Sequence, residues 1–284
     1  MALLRLGRRR GESAAEVVEA AGSAESVLRR ELANQAEQTS LLPEDPEPLL
    51  VRAHEDLASW RAAGYRPLTV LCGDYPANLR RVHDRPPLMF VAGDLVPEDV
   101  RSVAVIGSRR ASETGLAVAA RISEHLVATG YVVVSGLAAG VDTAAHTAAL
   151  HTGGRTVAVI GTGLARSYPS ENAPLQARIA REAAVLSPFW PDAPPSRHSF
   201  PRRNAVMSGL ALGTVVVEAS PRSGTRIQAR IALAHGRPVF LWSDVLEQSW
   251  ARDLVTRPGV HVVTAPDEIT SRLERLNATD ALVE

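Results

Sequence analysis

The chain reads as an α/β protein with a doubly wound parallel sheet, and two observations carry that reading. From Ser102 onward, short apolar runs alternate with helical segments, the order that crossover connections in a parallel sheet require. Most of those runs are rich in valine and lack in/out alternation, as strands covered on both faces do. Strands are expected at Ser102–Ile106, Tyr131–Ser135, Thr156–Ile160, Ala184–Leu186, Thr214–Glu218, Pro238–Leu241 and Val260–Val263. Helices fit between several of them, at Glu113–Ala128, Asp142–Leu150, Leu175–Glu182 and Thr225–His235.

The first hundred residues read as helical, then irregular. Two short helices, Ala14–Ala21 and Ser23–Leu32, are separated by Gly22. Leu41–Pro48 holds three prolines and three acids and is expected to be a linker. A third helix is expected over Glu47–Ala63, stopped by Gly64. A short strand at Leu68–Cys72 follows, then turn residues from Gly73, the pair Pro86-Pro87, and the apolar run Leu88–Ala92. The division expected is a helical region with linker over residues 1–66 and one large α/β domain over 67–284.

With 284 residues, 45% hydrophobic and 22% charged, the chain can bury a sizeable core and resembles ordinary soluble proteins. It holds no run of roughly 18 apolar residues and no signal-peptide core at its start, so a cytoplasmic protein without membrane spans is expected. A single cysteine, Cys72, excludes an internal disulfide and a cysteine-based zinc cluster. All 31 basic residues are arginine, which excludes Schiff-base, pyridoxal-anchoring and P-loop lysine chemistry. The eight histidines show no metal-ligand spacing, and neither metal nor cofactor is expected. The net charge of zero is an average over unlike parts: residues 101–240 hold 15 Arg against 7 acids, whereas both flanking segments are acidic. A basic middle segment points to an anionic partner.

Ligands of doubly wound sheets lie beyond the C-terminal strand ends, so the loops there are the candidate site. Gly107-Ser108-Arg109-Arg110 follows the first strand of the α/β region and offers a close turn, a hydroxyl and guanidinium forks, or else a plain turn with exposed arginines. Ser135-Gly136-Leu137-Ala138-Ala139-Gly140 and Asp142 follow the second. These are an anion nest at a helix start, unless Asp142 is simply an N-cap. Gly161-Thr162-Gly163 follows the third, but Arg166 stands where a dinucleotide fingerprint needs its last glycine. The loop continues through Tyr168, which can stack on a base or pack in the loop, to Asn172. Arg197 to Asn204 interleaves Arg202 and Arg203 with Phe200, a pattern that suits single-stranded nucleic acid or a solvated basic loop. Glu218 ends the fifth strand and is expected to be partly buried and bonded to loop donors. Ser223-Gly224-Thr225 opens the next helix as a further anion site.

Taken in order, these motifs resemble the DNA-processing protein A family (DprA, also called Smf). They include Asp74-Tyr75-Pro76 with Asn78-Leu79, Pro86-Pro87-Leu88, Gly107-Ser108-Arg109, Ser135-Gly136-Leu137-Ala138 with Gly140 and Asp142, and Gly161-Thr162-Gly163-Leu164. Tyr168-Pro169 with Asn172, Phe200-Pro201 with Arg203-Asn204, and Val217-Glu218-Ala219 with Ser223-Gly224 complete them. The resemblance covers roughly residues 50–245 and, more faintly, the N-terminal helices, which are similar to the family's small SAM-like domain. It implies a Rossmann-like core that binds single-stranded DNA, often as a homodimer, and hands it to the RecA recombinase in natural transformation. It also implies a phosphate pocket built from Arg109, the Ser135–Gly140 loop and the Arg203 region. The chain departs from the family at Ala205, where a second arginine is usual. It departs again at Ser170-Glu171, where a lysine is frequent, and at Trp242-Ser243-Asp244, where a Pro-Gly turn is usual. It is expected to lack the winged-helix tail of many members.

The leading functional reading is a non-enzymatic single-stranded DNA binder. The alternative is a nucleotide sensor or nucleotide-processing protein like the cytokinin-activating phosphoribohydrolases, whose glycine-rich signature resembles Pro221 to Gln228. There Gln228 replaces the catalytic Glu, and a neutral amide supplies neither a base nor a counter-charge to an oxocarbenium ion. A protein-interaction module is a third class, for which no residue identifies a partner.

Overall fold

The structure is a computed structural model that describes residues 1–5, 13–39, 45–220 and 224–280. Its centre is one nine-stranded sheet. In chain order the strands are β1 (Arg66–Thr69), β2 (Leu88–Gly93), β3 (Ser102–Ile106), β4 (Val132–Ser135), β5 (Thr156–Val159), β6 (Ala184–Ser187), β7 (Gly213–Val216), β8 (Val239–Trp242) and β9 (Val260–Val263). Their spatial order is β1-β2-β6-β5-β4-β3-β7-β8-β9. The seven strands from β6 to β9 pair in parallel, and β3 to β8 are buried at every position. Unbroken Val, Ile and Leu runs satisfy that burial, because helices cover both faces.

The expected all-parallel sheet carries an addition. β2 pairs antiparallel with β6, with Phe90 opposite Ser187, and β1 pairs antiparallel with β2, with Arg66 opposite Val91. The strand expected at Leu68–Cys72 lies earlier, at Arg66–Thr69, because Cys72 already closes a turn in which its amide donates to the Thr69 carbonyl.

The helices among the described residues are α1 (Ala2–Arg5), α2 (Ala14–Ala21), α3 (Ala24–Thr39), α4 (Glu47–Ala62), α5 (Ala77–Arg80), α6 (Glu113–Ala128), α7 (Val141–His151), α8 (Ala173–Glu182), α9 (Ser199–Leu210), α10 (Thr225–Ala234), α11 (Ser249–Val255) and α12 (Pro266–Asp280). The first half of the linker expected at Leu41–Pro48 lies outside the described residues, and its end is already the first turn of α4. Trp60 on α4 packs edge-on to Phe90 at 5.0 Å and stacks on Trp190 at 5.6 Å, so α4 is fastened to the antiparallel edge of the sheet. At α2, Glu19 forms ion pairs with Arg80 and Arg85.

α9 corrects a sequence expectation. The Arg197 to Asn204 segment is not a basic loop, because Ser199 begins a twelve-residue helix. Pro201 lies in its first turn, where a missing amide costs nothing. Arg203, Asn204, Met207 and Leu210 turn inward on it. Two polar residues on that inner face hide the helical period from a hydrophobicity pattern.

The chain lays β4, β5 and β6 outward from β3 on one side, then crosses to lay β7, β8 and β9 on the other. The order therefore reverses between β3 and β7. Ligand crevices of open α/β sheets form at such a switch point.

Candidate nucleic-acid interface

A cleft of about 660 Å³ opens at that switch point. Its walls come from the loop after β3 (Gly107 to Arg110), the start of α7 (Ala138, Asp142), the inner face of α9 (Phe200, Arg203, Asn204, Met207) and the start of α10 (Gly224, Thr225, Gln228). The loops expected after different strands are thus brought together.

Two glycines permit the closeness. At Gly140, φ is +79° and a Cβ would lie 2.2 Å from the Ser108 carbonyl oxygen. At Gly136 a Cβ would lie 1.2 Å from Nη1 of Arg203. A side chain at either position would force the β3 loop or α9 away from the β4 loop.

Arg203 is not the exposed phosphate clamp that its sequence context suggests. It is 6% exposed, with Nη1 donating to the Val159 carbonyl at 3.3 Å and lying 3.9 Å from Oδ2 of Asp142. That same carboxylate oxygen accepts from the amides of Gly136 (3.2 Å) and Ala138 (3.3 Å). The expected anion nest therefore already holds an internal anion. Burial raises the Asp142 pKa, opposed by Arg203 and by the two amides. Burial likewise lowers that of Arg203, with Asp142 opposing and Arg109 adding to the lowering. The pair is a mutual neutralisation under the cleft floor.

Charge remains exposed at the rim, where Arg109 and Arg110 are both open to solvent. The Arg109 guanidinium lies over the Phe200 ring, 4.8 Å from its centroid, and Tyr168, 47% exposed, lies 6.1 Å beyond Phe200. A cation and two accessible rings so close together can stack on the faces of bases. In the floor, Gln228 is 1% exposed, and neither atom of its side-chain amide has a hydrogen-bond partner. A buried amide left open inside a cleft is available to a polar ligand edge. Met207 and Ser220, which the sequence motifs do not single out as binding residues, also line the cleft, as does Gln228, whose position the sequence marks only for its missing carboxylate. A helical reading of α9 would have supplied Met207.

Several candidates do structural work instead. Ser135 Oγ donates to the Val105 carbonyl at 2.6 Å. Ser108 Oγ accepts from the Arg110 amide, which shapes the turn. Asn172 donates to the Leu137 carbonyl and to Thr143, pinning the β4 loop from outside the cleft. Glu218 is half-buried and bonded to loop donors as expected. It accepts from the Ser112 amide (3.0 Å) and hydroxyl (2.5 Å) and so supports the residue that caps α6. Arg166 is exposed and donates to the Asp192 carbonyl at 2.6 Å. Arg202 lies over the Phe189 ring in a separate groove, and Ala139 faces a neighbouring hollow between α6 and α7. Ser223 lies outside the described residues.

The family model for DNA recombination-mediator protein A matches residues 67–274. The chain belongs to that family. It is 43% identical over 172 residues to the DNA processing protein DprA of Streptococcus pneumoniae, covering 61% of each chain. It is 35% identical over 224 residues to the Bacillus subtilis DprA, covering 78% of this chain and 75% of that one. With Protein Smf of Escherichia coli it shares 38% over 203 residues, 70% of this chain and 54% of that protein. The S. pneumoniae and E. coli matches thus span less than two thirds of those relatives' length. Among solved structures, S. pneumoniae DprA superposes with a TM-score of 0.69 at 32% identity, covering 86% of this chain and 91% of that one. DNA processing protein A of Helicobacter pylori, whose structure concerns its single-stranded DNA binding mode, gives 0.64 at 25% identity over 74% of this chain and 96% of that one. The Rossmann-like core implied by the sequence motifs is therefore the fold of this family. No helix among the described residues is long and apolar enough to cross a membrane.

Proposed function

We propose that the chain binds single-stranded DNA in this cleft without catalysing a covalent step. The observation that carries the reading is the contact of the Arg109 guanidinium with Phe200 in the cleft, with exposed Tyr168 next to that ring. Exposed arginines draw the phosphate backbone, the rings take successive bases, and Gln228 meets a base edge in the floor. The H. pylori relative supports the ligand, and the family's description as a recombination mediator supports delivery of the bound strand to a RecA-type recombinase. In this reading residues 67–284 carry the DNA-binding function in the cytoplasm, residues 1–66 form an appended helical region, and a homodimer is the working unit.

The test is anisotropy of a labelled oligo-dT across a salt series. Each phosphate contact contributes roughly 0.7 to the slope of log K against log salt for single strands. Arg109→Ala is expected to weaken binding and to flatten that slope by about one contact. Arg275→Ala, on the exposed face of α12, is expected to do neither. Absence of binding by the wild-type chain at low salt, or equal effects of the two variants, would overturn the proposal.

A further inference from the structure

The far end of α10 carries a second constellation that DNA binding does not use. His83, Asp84 and His235 each place one ligand atom so that the three lie within 4.8 Å of one another. His235 is the residue that ends α10, and its side chain is fully buried. Its Nε2 lies 2.8 Å from Oδ1 of Asp84, and its Nδ1 lies 3.1 Å from the Ser208 hydroxyl on α9. The exposed ring of His83 meets it edge-on, with centroids 5.6 Å apart. Spacing along the chain conceals the cluster, because Asp84 and His235 stand 151 positions apart.

We propose that His83, Asp84 and His235 form a site for one divalent late transition ion of the zinc type, joining the segment before β2 to the end of α10. Two imidazoles and one carboxylate are donors that suit Zn²⁺, Co²⁺ or Ni²⁺, whereas Mg²⁺ and Ca²⁺ select oxygen alone. Three protein ligands with water in the fourth position is a recurrent zinc arrangement. Metal–ligand distances near 2.0–2.1 Å set tetrahedral ligand atoms about 3.3 Å apart. The His235–Asp84 contact therefore opens by about half an ångström, and the solvent-exposed His83 side chain turns in.

The surroundings are prepared for this. Zn²⁺ takes the Nε2 lone pair of the neutral ring in its Nδ1–H tautomer, and that N–H donates to Ser208 and fixes the ring orientation. The two segments are already held together by Arg237, which donates to the Asn78 carbonyl at 3.2 Å, so little new ordering is required. Asp84 is 40% exposed at its side chain, which leaves an entry path for the ion.

The experiment is a Zn²⁺ titration of the tag-free chain in competition with a chromophoric chelator, with Co²⁺ substitution read in the visible spectrum. One Zn²⁺ per chain is expected. His83→Ala and Asp84→Asn, both at exposed positions, are each expected to weaken binding at least about tenfold, the scale on which even supporting groups act. Both should also lose the Co²⁺ band and the rise in melting temperature that Zn²⁺ gives the wild type. His151→Ala, an exposed histidine outside the cluster, is expected to bind as the wild type does. The proposal is overturned if the wild type binds Zn²⁺ no more tightly than His83→Ala, if Asp84→Asn retains full affinity, or if His151→Ala matches His83→Ala.

Discussion

Breaking the charge pair between Asp142 and Arg203 should cost stability in a way that a second mutation can repair. At 3.9 Å and an effective dielectric near 20, opposite unit charges attract by about 4 kcal/mol. Removing one partner of a buried pair typically costs about 3–5 kcal/mol, because the other charge is left without compensation. Asp142→Asn keeps the side-chain shape but leaves Arg203 buried and unopposed, so it should destabilise by about that amount. For a chain of this size the loss corresponds to roughly 6–20 °C in melting temperature, taking about 2–4 °C per kcal/mol. Arg203→Met removes the orphaned cation, and the double variant should recover at least about 2 kcal/mol relative to Asp142→Asn alone. Urea unfolding of the four proteins, closed as a double-mutant cycle, measures the coupling. A coupling below about 1 kcal/mol would show that the two residues act independently, and the account of the cleft floor would be wrong.

His146 gives a pH dependence. Its Nδ1 lies 2.7 Å from Thr156 Oγ1, whose own proton goes to the Val133 carbonyl, so Nδ1–H is the donor. Burial pushes its pKa down to about 3, aided by Arg203 and opposed by the nearby Ser135 backbone. Because the unfolded state protonates near pH 6.5 and the folded state only near 3, this group's stabilisation is complete above pH 6.5 and is lost as pH falls. The slope is about 1.4 kcal/mol per unit. Between pH 6.5 and 5, wild type should lose about 2 kcal/mol more than His146→Gln, and equal urea midpoint shifts would refute this. Glu218→Ala leaves the Ser112 amide without its acceptor and loosens the α6 cap, for about 1 kcal/mol; melting within a degree of wild type would mean the contact contributes nothing. Phe200→Ala should weaken oligo-dT binding by about 1–3 kcal/mol with an unchanged salt slope; a flattened slope would assign Phe200 to positioning Arg109 instead.

Much of the sheet is legible because burial on both faces leaves a simple signal. Val103, Ala104, Val105 and Ile106 need only be apolar and continuous, and β3, β9 and α6 fall where the pattern places them. The antiparallel edge is less legible: Leu88–Ala92 reads as an apolar run, but its direction depends on β6, about a hundred residues later. The site divides similarly. The loops that meet at the switch point follow from strand order and glycine placement. What each polar side chain does there depends on partners distant in sequence, as with Ser112 for Glu218 or Leu137 for Asn172. Arg203 is the sharpest case. Next to Arg202 and Phe200 it reads as nucleic-acid contact, yet the helical turn of α9 directs it inward to Asp142.

That inward turn determines what kind of binding the cleft supports. The amides of Gly136 and Ala138 are taken by Asp142, and Asp142 in turn neutralises Arg203. The floor is therefore polar but nearly neutral, and among the described residues lining the cleft the exposed positive charge is that of Arg109 and Arg110 at the rim. In the proposed binding mode, a rim of exposed arginine attracts a strand along its length and two accessible rings take bases by their faces, both of which tolerate any sequence. The same accounting bears on chemistry. A carboxylate acting as general base has to be free to take a proton, whereas Asp142 is tied to two amides and Glu218 to Ser112. At the remaining position, that of Gln228, the side chain is an amide. The carboxylates around the cleft are thus committed to holding its loops together, which is the role the proposed DNA binder requires of them.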